Sequence, residues 1–255
     1  MRFVSLNITG FDAGKLSGLP LVADAREGLT ALAVALDGHA VDPTYSARVA
    51  TLRDEWDATV ATAYDPPAEV TDRLAPGLLT QAEVIGAVNE GSDPRDVVVC
   101  AAGSVPGDLH RPRRVRDHRG YHAEYGYSCM GYEIPGAIGV ALADDTRDVF
   151  AMVGDGGYLM MPTELVVAVQ ERVKVIVVLV QNHGFHSIGS LSQGLGSQRF
   201  GTSYEFRGGS GRLDGGQLPV DLAANARSLG AHVIEVHDRA GLAAAIAQAR
   251  AAPRD

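Results

Sequence analysis

The residues best suited to chemistry in this chain sit in two short segments. Gly154-Asp155-Gly156-Gly157 follows the apolar run 149–153, and Asn182-His183-Gly184 follows the apolar run 173–180. Asp155 offers a hard anionic oxygen and Asn182 a neutral one. The glycines leave backbone N–H groups open to a phosphate, and the helix expected next adds a favourable dipole. With a backbone carbonyl and two phosphate oxygens, Asp155 and Asn182 approach the octahedral oxygen set that magnesium prefers. A lone Gly-Asp-Gly is more often a simple turn. This one has a partner: 25 residues lie between Gly156 and Asn182, enough for one helix and one returning strand. Both segments then fall beyond the carboxyl ends of successive strands, where open parallel sheets bind ligands.

The elements that must position these segments can be read from periodicity and punctuation. Residues 3–8 read as a strand, 19–23 as another short apolar run, and 25–36 as a helix stopping at Asp37-Gly38. Asp42-Pro43 starts a helix running to about residue 63. The break at 64–68 and the Pro76-Gly77 turn place a domain boundary in a linker over 64–77, between units 1–63 and 78–255. Thr80 and Glu83 form a capping-box pattern opening the next helix. Strands follow at 97–102, 149–153, 173–180 and 232–236. Helices are expected at 130–143, 162–172, 219–229 and 239–251. Strands that are apolar throughout and alternate with helices predict an α/β fold, a doubly wound parallel sheet with helices on both faces. Residues 183–216 are rich in glycine and serine with little periodicity, the mark of a functional or disordered loop.

Composition narrows the classes. Thirty of the 255 residues are glycine, well above the usual ~7%. A net charge of −9, from 22 basic and 31 acidic residues, argues against a nucleic-acid or anionic-membrane surface. Two cysteines, Cys100 and Cys129, without ligand spacing, fit a reduced cytoplasmic protein. The N-terminal residues carry no run long enough for a signal peptide, and the longest apolar stretch contains Lys174, so a soluble chain is expected.

The Gly-Asp-Gly motif, some 25 to 30 residues, then Asn, resembles the thiamine-diphosphate motif of acetolactate synthase, pyruvate decarboxylase and their relatives. The resemblance implies a thiamine diphosphate and Mg2+ cofactor pair. Asp155, Asn182 and the carbonyl of Gly184 would hold the metal, and Gly156 and Gly157 would present N–H groups to the diphosphate. His183 stands where many relatives have a second Asn. The block from Glu124 to Gly139 resembles the segment that cups the cofactor rings. Met130 takes the place of the apolar wedge, and the Ser128 carbonyl that of the acceptor for the pyrimidine amino group. Gly103 and Ser104 join the cofactor-binding set.

The strings 101–110, 124–134, 182–185 and 192–202 are similar to the trihydroxycyclohexane-1,2-dione hydrolases of inositol breakdown, along essentially the whole chain. The implied activity is hydrolytic cleavage of a ring carbon–carbon bond in a polyhydroxylated cyclohexane-1,2-dione. His110, His186, Gln198 and Arg199 are the candidate substrate residues, with Arg199 equally readable as a surface ion pair. By the same resemblance, 1–63 is the remnant of a central Rossmann-like domain. The pyrimidine-binding domain and its activating glutamate would lie outside this chain, on a neighbouring subunit or partner chain, leaving this chain inactive alone. Neither Glu124 nor Glu133 matches the activating position.

Three other readings stay open. The same cofactor could serve a carboligase or decarboxylase, or the chain could be a cofactor-binding subunit that catalyses nothing. A nicotinamide-binding protein is the remotest, since no Gly-x-Gly-x-x-Gly follows a strand. His118, His122 and Glu124 superficially suggest a metal site. They lie in a loop with Arg111, Arg113, Arg114, Arg116 and Arg119, without the framework of a zinc site, and His122 is better read, with His110, as a pocket residue.

Overall fold

The computed structural model describes residues 3–71, 74 and 78–253. The chain forms two compact units, 1–57 and 58–255. In the first, β1 (Val4–Asn7) and β2 (Leu19–Val22) pair in parallel, Val4 beside Leu19. The crossover carries α1 (Gly10–Gly14), and α2 (Ala25–Ala35) follows β2. Both helices begin at a capping side chain: Thr9 accepts from the Asp12 N–H, and Asp24 from those of Arg26 and Glu27. Gly28 is glycine for a local reason, because a Cβ there would lie 2.7 Å from Leu6 Cδ1. This is a parallel βαβα piece, in which α1 and the parallel pairing go beyond the strand, apolar run and helix expected from the sequence.

The long helix α3 (Pro43–Tyr64) starts at Asp42-Pro43 as expected. The units divide inside it, after Asp57, rather than in the expected linker. The cause is packing: Val60 and Tyr64, near its end, are buried in the core of the second unit. The four-residue helix α4 (Ala68–Thr71) occupies part of the expected linker, and Pro76-Gly77 lies outside the described residues.

In the second unit, α5 (Gln81–Gly91) opens with the full capping box between Thr80 and Glu83. Then come β3 (Val97–Cys100), α6 (Ser104–Leu109), β4 (Tyr121–Ala123), α7 (Glu133–Ala143) and β5 (Val149–Gly154). They are followed by α8 (Asp155–Met160), α9 (Glu164–Glu171), β6 (Ile176–Val180), α10 (His186–Gly194), α11 (Leu222–Ser228) and α12 (Arg239–Ala251). The four strands form one parallel sheet in the order β4-β3-β5-β6.

Strand alternation divides the core. Val98, Cys100, Phe150 and Met152 face one side, with Ile85, Val88, Leu109, Leu242 and Ile246. Val97, Val99 and Ala151 face the other, with Ala137 and Ala141 of α7. Val153 joins Ile134, Leu165 and Leu222 on α7, α9 and α11. Each buried large side chain contributes about 1.5–3 kcal/mol, and both faces are covered, which is why these strands read as continuous apolar runs.

One expected strand does not form. Residues 232–236 make no ladder: Val236 packs against the first cluster, but His232 and Glu235 turn outward and Glu235 pairs with Arg227. No helix among the described residues is long and apolar enough to cross a membrane.

Candidate functional site

The two chemistry-bearing segments meet at the carboxyl ends of β5 and β6. The chain passes from β5 into α8 without a loop, so Asp155 is the first residue of that helix and is fully buried. Its Oδ1 accepts from the Gly156 N–H at 2.9 Å. Its Oδ2 accepts from the N–H groups of Asn182 at 3.2 Å and Gly184 at 3.1 Å. The aspartate therefore staples the end of β6 to that of β5.

One atom of the Asn182 amide lies 2.9 Å from the Gly184 carbonyl oxygen and 3.2 Å from Asp155 Oδ1. Facing two acceptors, it is either the NH2 group donating to both or the amide oxygen with a cation between the three. The spacing is compatible with either state. Oxygens about 2.1 Å from magnesium stand roughly 2.9–3.0 Å apart along an octahedron edge. The donor set is all oxygen, one charged and two neutral, so the residues fit this ion.

The glycines leave room where the ligand and the walls need it. A Cβ on Gly156 would lie 2.7 Å from Phe185 Cδ1 and 3.4 Å from Met130 Cε, and one on Gly184 would sit 2.2 Å from the Thr202 carbonyl oxygen. Gly184 and Ser203 form a β-bridge, and the Phe185 N–H donates to the same Thr202 oxygen at 2.8 Å. Tyr204 stands edge-on to Phe185, and burial together with the Asp155 charge pushes its phenol up to about 12.

The cleft here has a volume of about 270 Å³. Gly103, Ser104, Ser128, Met130, Asp155, Gly156, Gly157, Asn182, Gly184 and His186 line it, with Phe185 and Ile188 as residues the sequence did not single out. Glu124 sets the wall that carries Ser128 and Met130. Its carboxylate accepts from the N–H groups of Tyr127 at 2.9 Å and Cys129 at 2.6 Å, which holds its pKa below the usual range. Within this clamp Ser128 adopts φ +56°, a left-handed conformation uncommon outside glycine. Local rather than catalytic work thus explains Glu124.

Four expected residues are not among those lining the cleft. His183 follows the strand end at φ +62°, its Nδ1 3.3 Å from Gln181 Nε2. Arg199 reaches the cleft only through His186, 3.4 Å from its Nδ1, and also approaches Gln193. Gln198 accepts from Arg212. His110 stacks on Tyr125, ring centroids 4.6 Å apart, and lies 3.2 Å from the Tyr121 hydroxyl.

The remaining polar cluster divides by partner. His122 Nε2 lies 2.6 Å from the Tyr132 hydroxyl, and His118 stands 3.9 Å from Asp117. Among the described residues no three His, Cys, Asp or Glu side chains gather as a metal-holding group. Arg113 and Arg116 reach Asn89 and Ser92 at the end of α5, so these two arginines serve the fold rather than the diphosphate site.

Comparison with known proteins agrees with this geometry. Residues 101–254 match the family model described as thiamine pyrophosphate enzyme, C-terminal TPP binding domain. The chain is 39% identical over 254 residues to 3D-(3,5/4)-trihydroxycyclohexane-1,2-dione hydrolases of Bacillus cereus (strain AH820) and Bacillus anthracis (strain A0248), covering 92% of this chain. It spans 39% of the length of those relatives. Among solved structures it resembles a thiamine diphosphate-dependent 4-hydroxybenzoylformate decarboxylase of Rhodococcus jostii RHA1. That match has a TM-score of 0.60 and 22% identity, covers 70% of this chain and 32% of the other, and speaks to the fold alone. With the motif and the matched domain in agreement, the chain belongs to the thiamine pyrophosphate enzymes, whose C-terminal TPP-binding domain it carries over residues 101–254.

Proposed function

We propose that this chain supplies the magnesium and diphosphate half of a thiamine-diphosphate site in an enzyme that opens the ring of a polyhydroxylated cyclohexane-1,2-dione by hydrolytic carbon–carbon cleavage in myo-inositol catabolism. The observation that carries this reading is the convergence of the Asp155 carboxylate, the Asn182 amide and the Gly184 carbonyl beside Gly156 and Gly157. Asp155, Asn182 and Gly184 would hold Mg2+. Gly156 and Gly157, with Gly103 and Ser104 across the cleft, would receive the diphosphate. Ser128 and Met130 would cup the rings.

Bound thiamine diphosphate supplies a nucleophilic carbon for attack on a carbonyl. The chain's own part is placement and exclusion of water. Met130 and Phe185 wall the cleft over Gly156, and Glu124 fixes the turn that carries Ser128. His186, backed by Arg199, gives the cleft a polar edge suited to a hydroxylated substrate. The names of the Bacillus relatives support the dione as that substrate. None of the described residues lining the cleft is a glutamate, which supports an activating carboxylate from another segment, in a homo-oligomer or a partner chain. Two free cysteines, one buried and one exposed, fit a cytoplasmic setting.

The test is calorimetric titration of thiamine diphosphate into the chain with and without Mg2+. Binding that requires the metal supports the reading, and metal-independent binding counts against it. Product analysis with the cyclic dione and with pyruvate, after adding a polypeptide that carries the pyrimidine domain, separates ring opening from carboligation. Turnover by the chain alone would overturn the need for that partner.

A further inference from the structure

Glu133 is the buried carboxyl that the cofactor reading leaves unused. It begins α7 and is 1% exposed. Its Oε2 accepts from the Gly131 N–H at 2.9 Å, while Oε1 is buried without a hydrogen-bond partner. A Cβ on Gly157 would lie 3.3 Å from Oε1 and 3.5 Å from Oε2, so the carboxyl sits against the backbone of that glycine. Burial pushes its pKa up, opposed in part by the nearby N–H groups of Glu133 itself, Gly131 and Ala102.

Those neighbours belong to three separate pieces of the cleft. Ala102 precedes the turn into α6, Gly131 follows the Met130 wedge at φ +90°, and Gly157 belongs to the diphosphate end at α8. A carboxyl with one partnered and one unpartnered oxygen is costly to bury, and an apolar residue of the same size would avoid that cost. We propose that Glu133 is a positioning residue for the cofactor, a hub that holds the wedge turn at Gly131 and the diphosphate-receiving glycine Gly157 at one fixed spacing. This rests on the cleft being a thiamine-diphosphate site. It adds a residue that touches no reacting atom and acts through the backbone of two others.

The physical logic is one of register between elements. Met130 must meet the rings and Gly157 the diphosphate of one molecule, yet 26 residues of chain lie between them. A side chain that bonds to one segment and packs on the other sets their separation before any ligand arrives, which lowers the ordering cost of binding.

The test compares Glu133→Gln with Glu133→Met in the full chain. Gln keeps an acceptor for the Gly131 N–H in nearly the same volume, whereas Met keeps the volume and removes the acceptor. In hydrogen exchange without cofactor, Met is expected to speed exchange about tenfold in both segments, 129–134 and 155–158, and Gln to stay within about twofold of the parent. Acceleration confined to 129–134, or a Gln variant as impaired as Met, overturns the hub. Titration of thiamine diphosphate with Mg2+ gives the second readout. Met is expected to weaken cofactor binding about tenfold and Gln to restore it, with the Mg2+ requirement unchanged. If the parent chain binds no cofactor, the thiamine-diphosphate reading fails while the exchange data still decide whether Glu133 couples the two segments. If Met does not fold, Glu133→Leu, which also lacks the acceptor, is read in its place, and parental exchange at 155–158 in that variant overturns the hub.

Discussion

At the amino end of the parallel sheet, Asp96 and Asp148 stand just before β3 and β5 and face cations. Lys174 lies 3.3 Å from Asp148, Arg250 lies 3.4 Å from Asp96 and 3.5 Å from Asp148, and Arg250 also pairs with Asp93. Beside them Arg147 bridges Asp117 and Asp144, each at 2.9 Å. At the carboxyl end, Asp155 stands just after β5, fully buried, and meets backbone N–H groups and the Asn182 side-chain amide rather than cations. The strands are the same, and the two ends treat charge in opposite ways. Where charges answer one another the residues are long and the end is closed, serving stability. Where the charge is answered by N–H groups, the neighbours are glycines, which is the arrangement the proposed Mg2+ site calls for.

The strongest way to break this comparison is to remove the unbalanced charge. Asp155→Ala takes away an oxygen of the proposed metal set and the acceptor that ties the ends of β5 and β6. Loss of a ligand should exceed the 10- to 100-fold typical of the residues that orient ligands. Metal-dependent binding of thiamine diphosphate should therefore fall by about 100-fold or more in calorimetry. Binding within tenfold of the parent would place the metal elsewhere.

Next in size is Gly184→Ala. The added Cβ would meet the Thr202 carbonyl oxygen at 2.2 Å, and backbone cannot step aside as a side chain tip can. The bridge to Ser203 must open, at about 1–3 kcal/mol of stability, and the Gly184 carbonyl leaves its place. Both the melting temperature and the cofactor affinity should drop. A stable variant with parental affinity would show that this carbonyl is not part of the site.

Lys174→Met probes the other end. It removes one cation from Asp148 and the donor to the Arg250 carbonyl, 2.5 Å away, while leaving the Arg250 pairs in place. A cost of about 1–3 kcal/mol in denaturant unfolding is expected, below the 3–5 of a fully orphaned buried charge. Cofactor affinity at the opposite end should stay unchanged, and a loss there would dissolve the division of labour between the ends.

What the sequence made legible follows the same divide. Apolar runs and capping residues are local signals, so β5, the end of β6, α5 and α12 fall where they are expected. The short helices α6, α8 and α10 hold too many glycines and too little period to announce themselves. They exist through contacts made far along the chain, such as Gly189 of α10 lying against Thr202 and Arg199. The spacing of Asp155 and Asn182 was enough to bring them together because the motif lies at strand ends, whose geometry is nearly fixed. Gln198 and Arg199 could not be placed that way, since the chain folds back and Arg212 takes up Gln198. Glu133 could not be read as a hub from the sequence, because two of its neighbours, residues 102 and 157, lie far from it along the chain.

The smallest predicted effect sharpens the comparison within the carboxyl end itself. Glu124 is a carboxylate that, like Asp155, is answered by backbone N–H groups, and those of Cys129 and Tyr127 hold its pKa below the ordinary 4.5. A carboxyl with a depressed folded pKa adds stability that is fully present above the unfolded value and is lost as pH falls through the folded one. The turn 124–129 should therefore stay closed at neutral pH. It should loosen only below about pH 4.5, read as faster exchange of the Tyr127 and Cys129 amides after correction for intrinsic rates. Glu124→Gln should show the loosened turn at every pH, with little change in global unfolding. Exchange at these amides that ignores pH between roughly 3 and 6 would mean that backbone geometry alone, rather than the carboxylate, holds Ser128 in its left-handed conformation.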